Sequence, residues 1–442
     1  MPKTQKSNPA LNRSVSLFQA TLYGIGVILG AGIYALVGKA AGIAGNALWL
    51  AFVFSGVIAS FTALSYAELS SMFPKESAEF LYVKKAFGKE WLAFLIAWIS
   101  IVTGFISIAA VAIGFANYLS YIFPVPIILG ALGLITILSL VNFWGIKESI
   151  KLNIVFTLVE AGGLVLVILI GLPFIGAVNY FVVPAGSTDF FSLLSPLTVA
   201  TALIFFAYLG FESLANITEE TKHATKTIPK AVLLSLLIST IIYVLVALSV
   251  VSAVPWQDLA KSAAPLALVA ERVFGANAGL ALAIIALFST TNTVLILLIV
   301  VSRRFYGISK EQCLPNFLHK VHPKTHTPHY AILATMLLAM LFASTQNIGA
   351  VAFLTNFGIF LIFLAVNLAV IFLRFYQPKA ERPFRIPLSI GRFPLLPFLG
   401  IISCAYMLFS FDVQIAAISI AIFLLAIPFY FAFREKFKAK EK

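Results

Sequence analysis

The sequence predicts an all-α integral membrane protein of twelve transmembrane helices, and three observations predict it. Of the 442 residues, 61% are hydrophobic and 11% charged, against roughly 25% charged in an average soluble domain. Windows without a single Asp, Glu, Lys or Arg recur, such as Trp91 to Ile146 and Val273 to Ser302, and they exceed the ~20 apolar residues that cross a bilayer as a helix. The cationic residues, finally, gather in alternate connections.

In order, the expected spans are 16–40, 46–72, 90–121, 125–143, 149–173, 195–217, 229–253, 275–305, 328–345, 348–374, 395–410 and 413–433. Lys3, Lys6 and Arg13 precede the first span, with no small-residue cleavage site after it, so residues 1–15 read as an uncleaved cytoplasmic tail. An even number of spans returns residues 434–442 to the same side. All of the 30 Lys and Arg residues except Lys39, Lys261 and Arg272 then face the cytoplasm, as the positive-inside rule requires. Residues 16–433 thus form one transmembrane domain in a cell membrane.

Between the second and third spans, Lys75 to Lys89 alternates charged and apolar residues and predicts an amphipathic helix on the inner surface. Trp256 to Phe274 predicts a short helix over the outer mouth. The largest polar connections, Gly307 to Thr327 and Gln377 to Pro394, carry helix-punctuating prolines. The net charge of +13 belongs to the inner loops and requires no nucleic acid. Cys313 in a loop and Cys404 in a span are not placed to pair. His319, His322, His326 and His329 crowd one loop at spacings that fit no metal motif. P-loop, HExxH, GxSxG and CxxC patterns are missing, and the dinucleotide pattern is not met by Gly24 to Gly30. No enzyme activity, cofactor or resident metal is therefore expected.

The first span contains GIGVILGAGIYALVG, Gly24 to Gly38. Each glycine costs a helix interior about 1 kcal/mol against alanine, so either close helix packing or a break must explain them. Gly26 and Gly30, four apart, suit a small-xxx-small packing seam. Unwinding at Gly30, Ala31 and Gly32 would instead free backbone groups at bilayer depth, tolerable only where a ligand or water meets them. The sixth span, LIFFAYLGFESLAN at Leu203 to Asn216, also carries a glycine and polar groups midway. With spans one to five and six to ten as two halves, the interrupted spans correspond, which is the pattern that marks a transporter's substrate site.

Gly30-Ala31-Gly32-Ile33-Tyr34, SYAELSSMFP at Ser65 to Pro74, FFAYLGFESLANITEE at Phe205 to Glu220 and RPFRIP at Arg382 to Pro387 resemble, in order, the amino acid-polyamine-organocation superfamily of secondary transporters. The resemblance implies a five-plus-five inverted repeat (LeuT-like) with discontinuous helices 1 and 6, the repeats falling at 16–173 and 195–374 and the two extra helices at 395–433. It implies that amides near Gly30, Ala31, Gly32 and Ile33 receive a substrate carboxylate. Carbonyls near Ile28, Phe206, Ala207 and Leu209 would receive the amino group, with the Phe206 ring as a lid.

Charged groups within spans are functional candidates because burying them is costly. Glu68, near the inner end of span two, suits an ion pair with the Lys75 region. Glu212 matches an acidic position that the family associates with gating or proton sensing. Glu160 is a departure, since several proton-coupled members place a lysine there. With Ser289 and Thr290 of FSTTNT in span eight, it could hold a proton, a sodium ion or a substrate's second positive charge; those hydroxyls could also bond only their own helix.

The expected function is a secondary active transporter of a neutral amino acid, by ion-coupled symport or exchange with alternating access. A cationic amino acid or polyamine is the alternative substrate, and a non-transporting nutrient receptor on the same fold is the alternative class. The expected partners are an amino acid and the lipid bilayer, with a coupling proton or sodium ion; the oligomeric state is open.

Overall fold

The structure, a computed structural model, describes residues 15–73, 78–145, 150–184, 190–310 and 314–438. Ser16 opens α1 (Leu17–Leu29) with a capping box: its hydroxyl accepts the Gln19 amide, and Gln19 Oε1 accepts the Ser16 amide at 3.0 Å. One residue separates α1 from α2 (Ala31–Ala44). That residue, Gly30, has φ −39° and ψ −157°, and the ψ value takes the chain out of helical register. Gly45, at φ +60°, ends α2 where a Cβ would lie 2.6 Å from the Val182 carbonyl oxygen, so only glycine fits this turn. A single 3-10 turn, Gly45–Ala47, leads into α3 (Leu48–Met72).

The chain continues through α4 (Ala78–Phe87), α5 (Glu90–Ile122), α6 (Ile127–Phe143), α7 (Ile150–Gly171) and α8 (Phe190–Ile204). After the second interruption come α9 (Ala224–Ala253), α10 (Trp256–Lys261), α11 (Pro265–Phe274), α12 (Ala276–Lys310), α13 (His329–Ala343) and α14 (Ile348–Tyr376). A two-residue hairpin, β1 (Ser389–Ile390) with β2 (Phe393–Pro394), precedes α15 (Leu395–Phe409), α16 (Val413–Leu424) and α17 (Ala426–Lys438).

Among the described residues, eight stretches are long and apolar enough to cross a membrane, and α6, α13 and α15 are apolar but shorter. The first stretch, Leu17–Met72, holds two of the expected spans because the tight turn between α2 and α3 leaves no coil between them. Several helices are apolar on every side, which in water would be unfavourable. On α6, Gly130, Ala131 and Ile135 are buried while Leu129, Ile137 and Leu140 are exposed, the arrangement of a helix that packs on protein with one face and on lipid with the other. The protein is a multi-pass membrane protein.

Burial ranks the helices. In the most apolar window of α5, 89% of residues are enclosed, against 17% for Val413–Ala432, so α5 is central and the C-terminal helices flank the bundle. α5 packs on α12, α14, α6 and α13, and α9 packs on α3 and α1.

Two surface segments differ from expectation. The helix expected over Lys75 to Lys89 is described from Ala78 as α4, and Lys75 lies outside the described residues. Trp256 to Phe274 forms two helices, because Pro265 has no N–H to continue the first and instead starts the second at its first position. Cys313 also lies outside the described residues, and Cys404 is buried in α15.

Candidate functional site

At the first interruption, the amides at the start of α2 have no helical carbonyl to meet. The Ala31 amide donates to Thr293 Oγ1 of α12 at 3.2 Å. Unwinding was expected over Gly30, Ala31 and Gly32; the structure confines it to Gly30 and places Ala31, Gly32 and Ile33 in the first turn of α2. The physical reason is that one non-helical ψ suffices to redirect the axis, after which helical hydrogen bonding resumes because unpaired backbone groups are costly at bilayer depth.

The second interruption is wider. α8 tightens into a 3-10 segment at Phe205–Tyr208, Leu209 is extended, Gly210 stands at φ +125°, and a second 3-10 segment runs Phe211–Glu220. The Gly210 amide donates to Glu212 Oε2 at 2.8 Å. This φ is open to glycine and strained for other residues.

The interruptions touch. A Cβ on Gly32 would lie 2.6 Å from Ala207 Cα, and one on Gly210 would lie 2.9 Å from the Val27 carbonyl oxygen. Tyr243 of α9 joins them: its hydroxyl reaches the Ile28 carbonyl at 2.6 Å and the Ala207 carbonyl at 2.9 Å. One hydroxyl proton serves two carbonyl oxygens, so acceptor capacity is left over.

A cavity of about 110 Å³ lies between the interruptions, α5 and α12. Of the residues singled out from the sequence, Ile28, Gly30, Ala31, Gly32, Phe206, Leu209 and Glu212 line it. Ile33 and Ala207 do not, Ala207 being packed behind Gly32. Glu160, Ser289 and Thr290 are also set back from it. Thr290 bonds the Ala286 carbonyl of its own helix at 2.8 Å. Glu160, 1% exposed on α7, has both carboxylate oxygens without a hydrogen bond among the described residues. The Ser289 and Asn292 side chains lie close to it, and the Ser289 hydroxyl also lacks a partner there.

Lys75, the partner region expected for Glu68, lies outside the described residues. Glu68 pairs with Arg374 and Arg382, from the end of α14 and the connection beyond it. The sequence singles out the hydroxyls of FSTTNT, Phe288 to Thr293, without placing Thr293 at the Ala31 amide, and it gives no role to Asn292 or Tyr243. Thr293 lies one helical turn beyond Ser289, so helical spacing within FSTTNT could have found it. Tyr243 sits in a plain apolar span and carries no comparable signal.

Interrupted apolar helices around a small internal cavity are the organisation of a membrane transporter. Residues 15–433 match the amino acid permease family, and the chain belongs to that family. Its members are permeases rather than enzymes. The chain is 30% identical, over 97% of its length and 94% of the relative's, to the branched-chain amino acid permease BcaP of Bacillus subtilis. It is 29% identical to the methylthioribose transporter of Bacillus subtilis, over 92% of this chain and 90% of that one. The human cystine/glutamate transporter is 29% identical over 96% of this chain and 85% of the relative.

Proposed function

We propose that this permease is a secondary active transporter of a neutral amino acid, most suited to an aliphatic side chain, and that it works by alternating access. The observation that carries the reading is the start of α2, whose first amides have no helical carbonyl to meet, set across one cavity from an apolar wall. The amides around Ala31, Gly32 and Ile33 form the positive end of a helix and suit a carboxylate. Val111, Ile296, Leu297 and Ile359 form the wall that would receive the side chain. Residual acceptor capacity at Ile28 and Ala207, with the Phe206 and Leu209 carbonyls, suits the ammonium group. The name of the Bacillus subtilis branched-chain permease agrees with this substrate class.

In this reading the chain has twelve spans in a LeuT-like five-plus-five arrangement, with repeats at 16–173 and 195–374 and both termini in the cytoplasm of a plasma-membrane protein. The cavity follows α12 from Asn292 to Arg304, about 18 Å of helix at 1.5 Å per residue, toward the end bearing Arg303 and Lys310. On the opposite side α10 lies over α2, with Ala260 against Gly42. The conformation is accordingly inward-facing. A cationic amino acid is the second reading, favoured by Glu212 on the cavity wall; Arg304 lines the same cavity and opposes it. Glu160 with Ser289 supplies the coupling site for a proton or sodium ion.

Counterflow tests the reading. Labelled leucine should accumulate in proteoliposomes preloaded with unlabelled leucine, and labelled arginine should not. Accumulation of neither amino acid by folded, reconstituted protein would overturn it. Glu160→Gln, which mimics a permanently protonated carboxyl, should flatten the dependence of uptake on pH or on sodium. Unchanged profiles in both would return Glu160 to a structural role.

A further inference from the structure

A second, chemically different cavity lies where α3, α14 and the 377–394 connection meet. Glu68, 1% exposed, anchors this region: Oε1 accepts Arg374 Nε at 3.0 Å, Oε2 accepts Arg374 Nη2 and the Ile386 amide, the latter at 2.9 Å, and Arg382 Nε lies 3.2 Å from Oε1. Arg374 also donates to Ser389 Oγ at 2.6 Å, which ties β1 to the helix end. One carboxylate thus pairs with two guanidinium groups, that of Arg374 buried and that of Arg382 half-buried.

Those two groups share a partly open cavity of about 260 Å³ with Arg385 and Arg392; its other lining residues are Pro378 and Ala380. Among the described residues no acidic side chain lines it. Glu381 follows Ala380 in the chain but is exposed and off the cavity wall. Arg392 makes no hydrogen bond or ion pair with the described residues, and Arg385 has one long contact, 3.5 Å to the Gly391 carbonyl. Among the described residues, four guanidinium groups therefore meet the single charge of Glu68, which leaves three formal positive charges uncompensated there. The Arg382 pKa is lowered, first by burial and further by the neighbouring Arg374 and Arg385 charges, against the pull of Glu68.

We propose that this arginine cavity binds a phosphate-bearing anion at the inner membrane surface, with Arg385 and Arg392 as the recruiting forks and Arg382 behind them. Guanidinium groups match phosphate oxygens bidentately, which a lysine cluster would not do. The phosphate can come from a lipid headgroup of the adjoining leaflet or from a free phosphate in the cytoplasm, since basic pockets at helix ends accept either by the same contacts. The site is separate from the transport cavity and does not depend on the substrate proposed there.

The test uses the purified full chain and its thermal unfolding midpoint. One arm titrates inorganic phosphate against chloride at constant ionic strength in neutral detergent. The other compares nanodiscs of phosphatidylcholine with nanodiscs of phosphatidylcholine and phosphatidylglycerol at about four to one. Stabilisation in the first arm assigns a free anion, and stabilisation in the second alone assigns a lipid. The double variant Arg385→Gln, Arg392→Gln changes exposed side chains and spares the buried Glu68 pairs, so it should fold as the parent does. It should weaken apparent affinity about tenfold or more, and the Arg385→Lys, Arg392→Lys variant should retain part of it. Absence of stabilisation in both arms, or equal stabilisation of the Gln double variant, would overturn the proposal.

Discussion

Between α1 and α2 the chain leaves α-helical geometry at Gly30 alone, whereas after α8 it does not recover that geometry until α9, beyond Glu220. The narrow interruption keeps two regular helices and therefore offers an ordered helix N-terminus, a source of donors. The wide one runs through 3-10 segments, whose poorer hydrogen-bond geometry leaves carbonyls available and the backbone easier to rearrange. On the function proposed above, the carboxylate grip falls to the first interruption and the moving part to the second, and the Tyr243 hydroxyl bonds a carbonyl of each.

The severest test of this division is Gly30→Leu. A Cβ there would lie 2.7 Å from Thr293 Oγ1, so the α2 amides shift; uptake should fall about a hundredfold, the scale of misplacing a binding group by an ångström. Membrane insertion, followed by surface labelling, should be retained. Parent-level uptake in a correctly inserted variant would show that the first interruption is not the grip.

Tyr243→Phe comes next, since it removes the hydroxyl from both Ile28 and Ala207. Leaving buried carbonyls unmet should cost about 1–3 kcal/mol in thermal unfolding of the purified protein. Hydrogen exchange should then rise more at residues 205–210 than at 28–31; an even rise would erase the distinction between a firm and a yielding interruption.

The smallest effect is expected for Thr293→Val, which is close in shape but withdraws the acceptor from the Ala31 amide. The substrate-free protein should lose about 0.5–1.5 kcal/mol, and thermal stabilisation by substrate should grow because the freed amide gains a partner only on binding. If substrate stabilises parent and variant equally, the α2 amide is not part of the binding surface.

Much of this molecule can be read along the chain. Charge-free windows locate the apolar helices, and GAG at Gly30 to Gly32 with FFAYLG at Phe205 to Gly210 locates both interruptions within a residue or two. The extents of those interruptions could not be read, because a glycine permits an unusual ψ without requiring one, and neighbouring packing selects the residue that bends. The set-back positions of Glu160, Ser289 and Thr290 were equally hidden, since hydropathy does not record how far a helix is rotated about its axis.

Hydropathy and composition were thus enough, unaided, to specify a multi-pass helical membrane protein, because the length of an apolar segment against a bilayer is a property counted along one dimension. Partner choice needed three dimensions. Tyr243 meets Ile28 across 215 positions, and Glu68 takes Arg374 across 306. Contacts of a few ångströms depend on helix rotation and register in the closed bundle, and many different arrangements of the same apolar segments would satisfy the sequence pattern equally well.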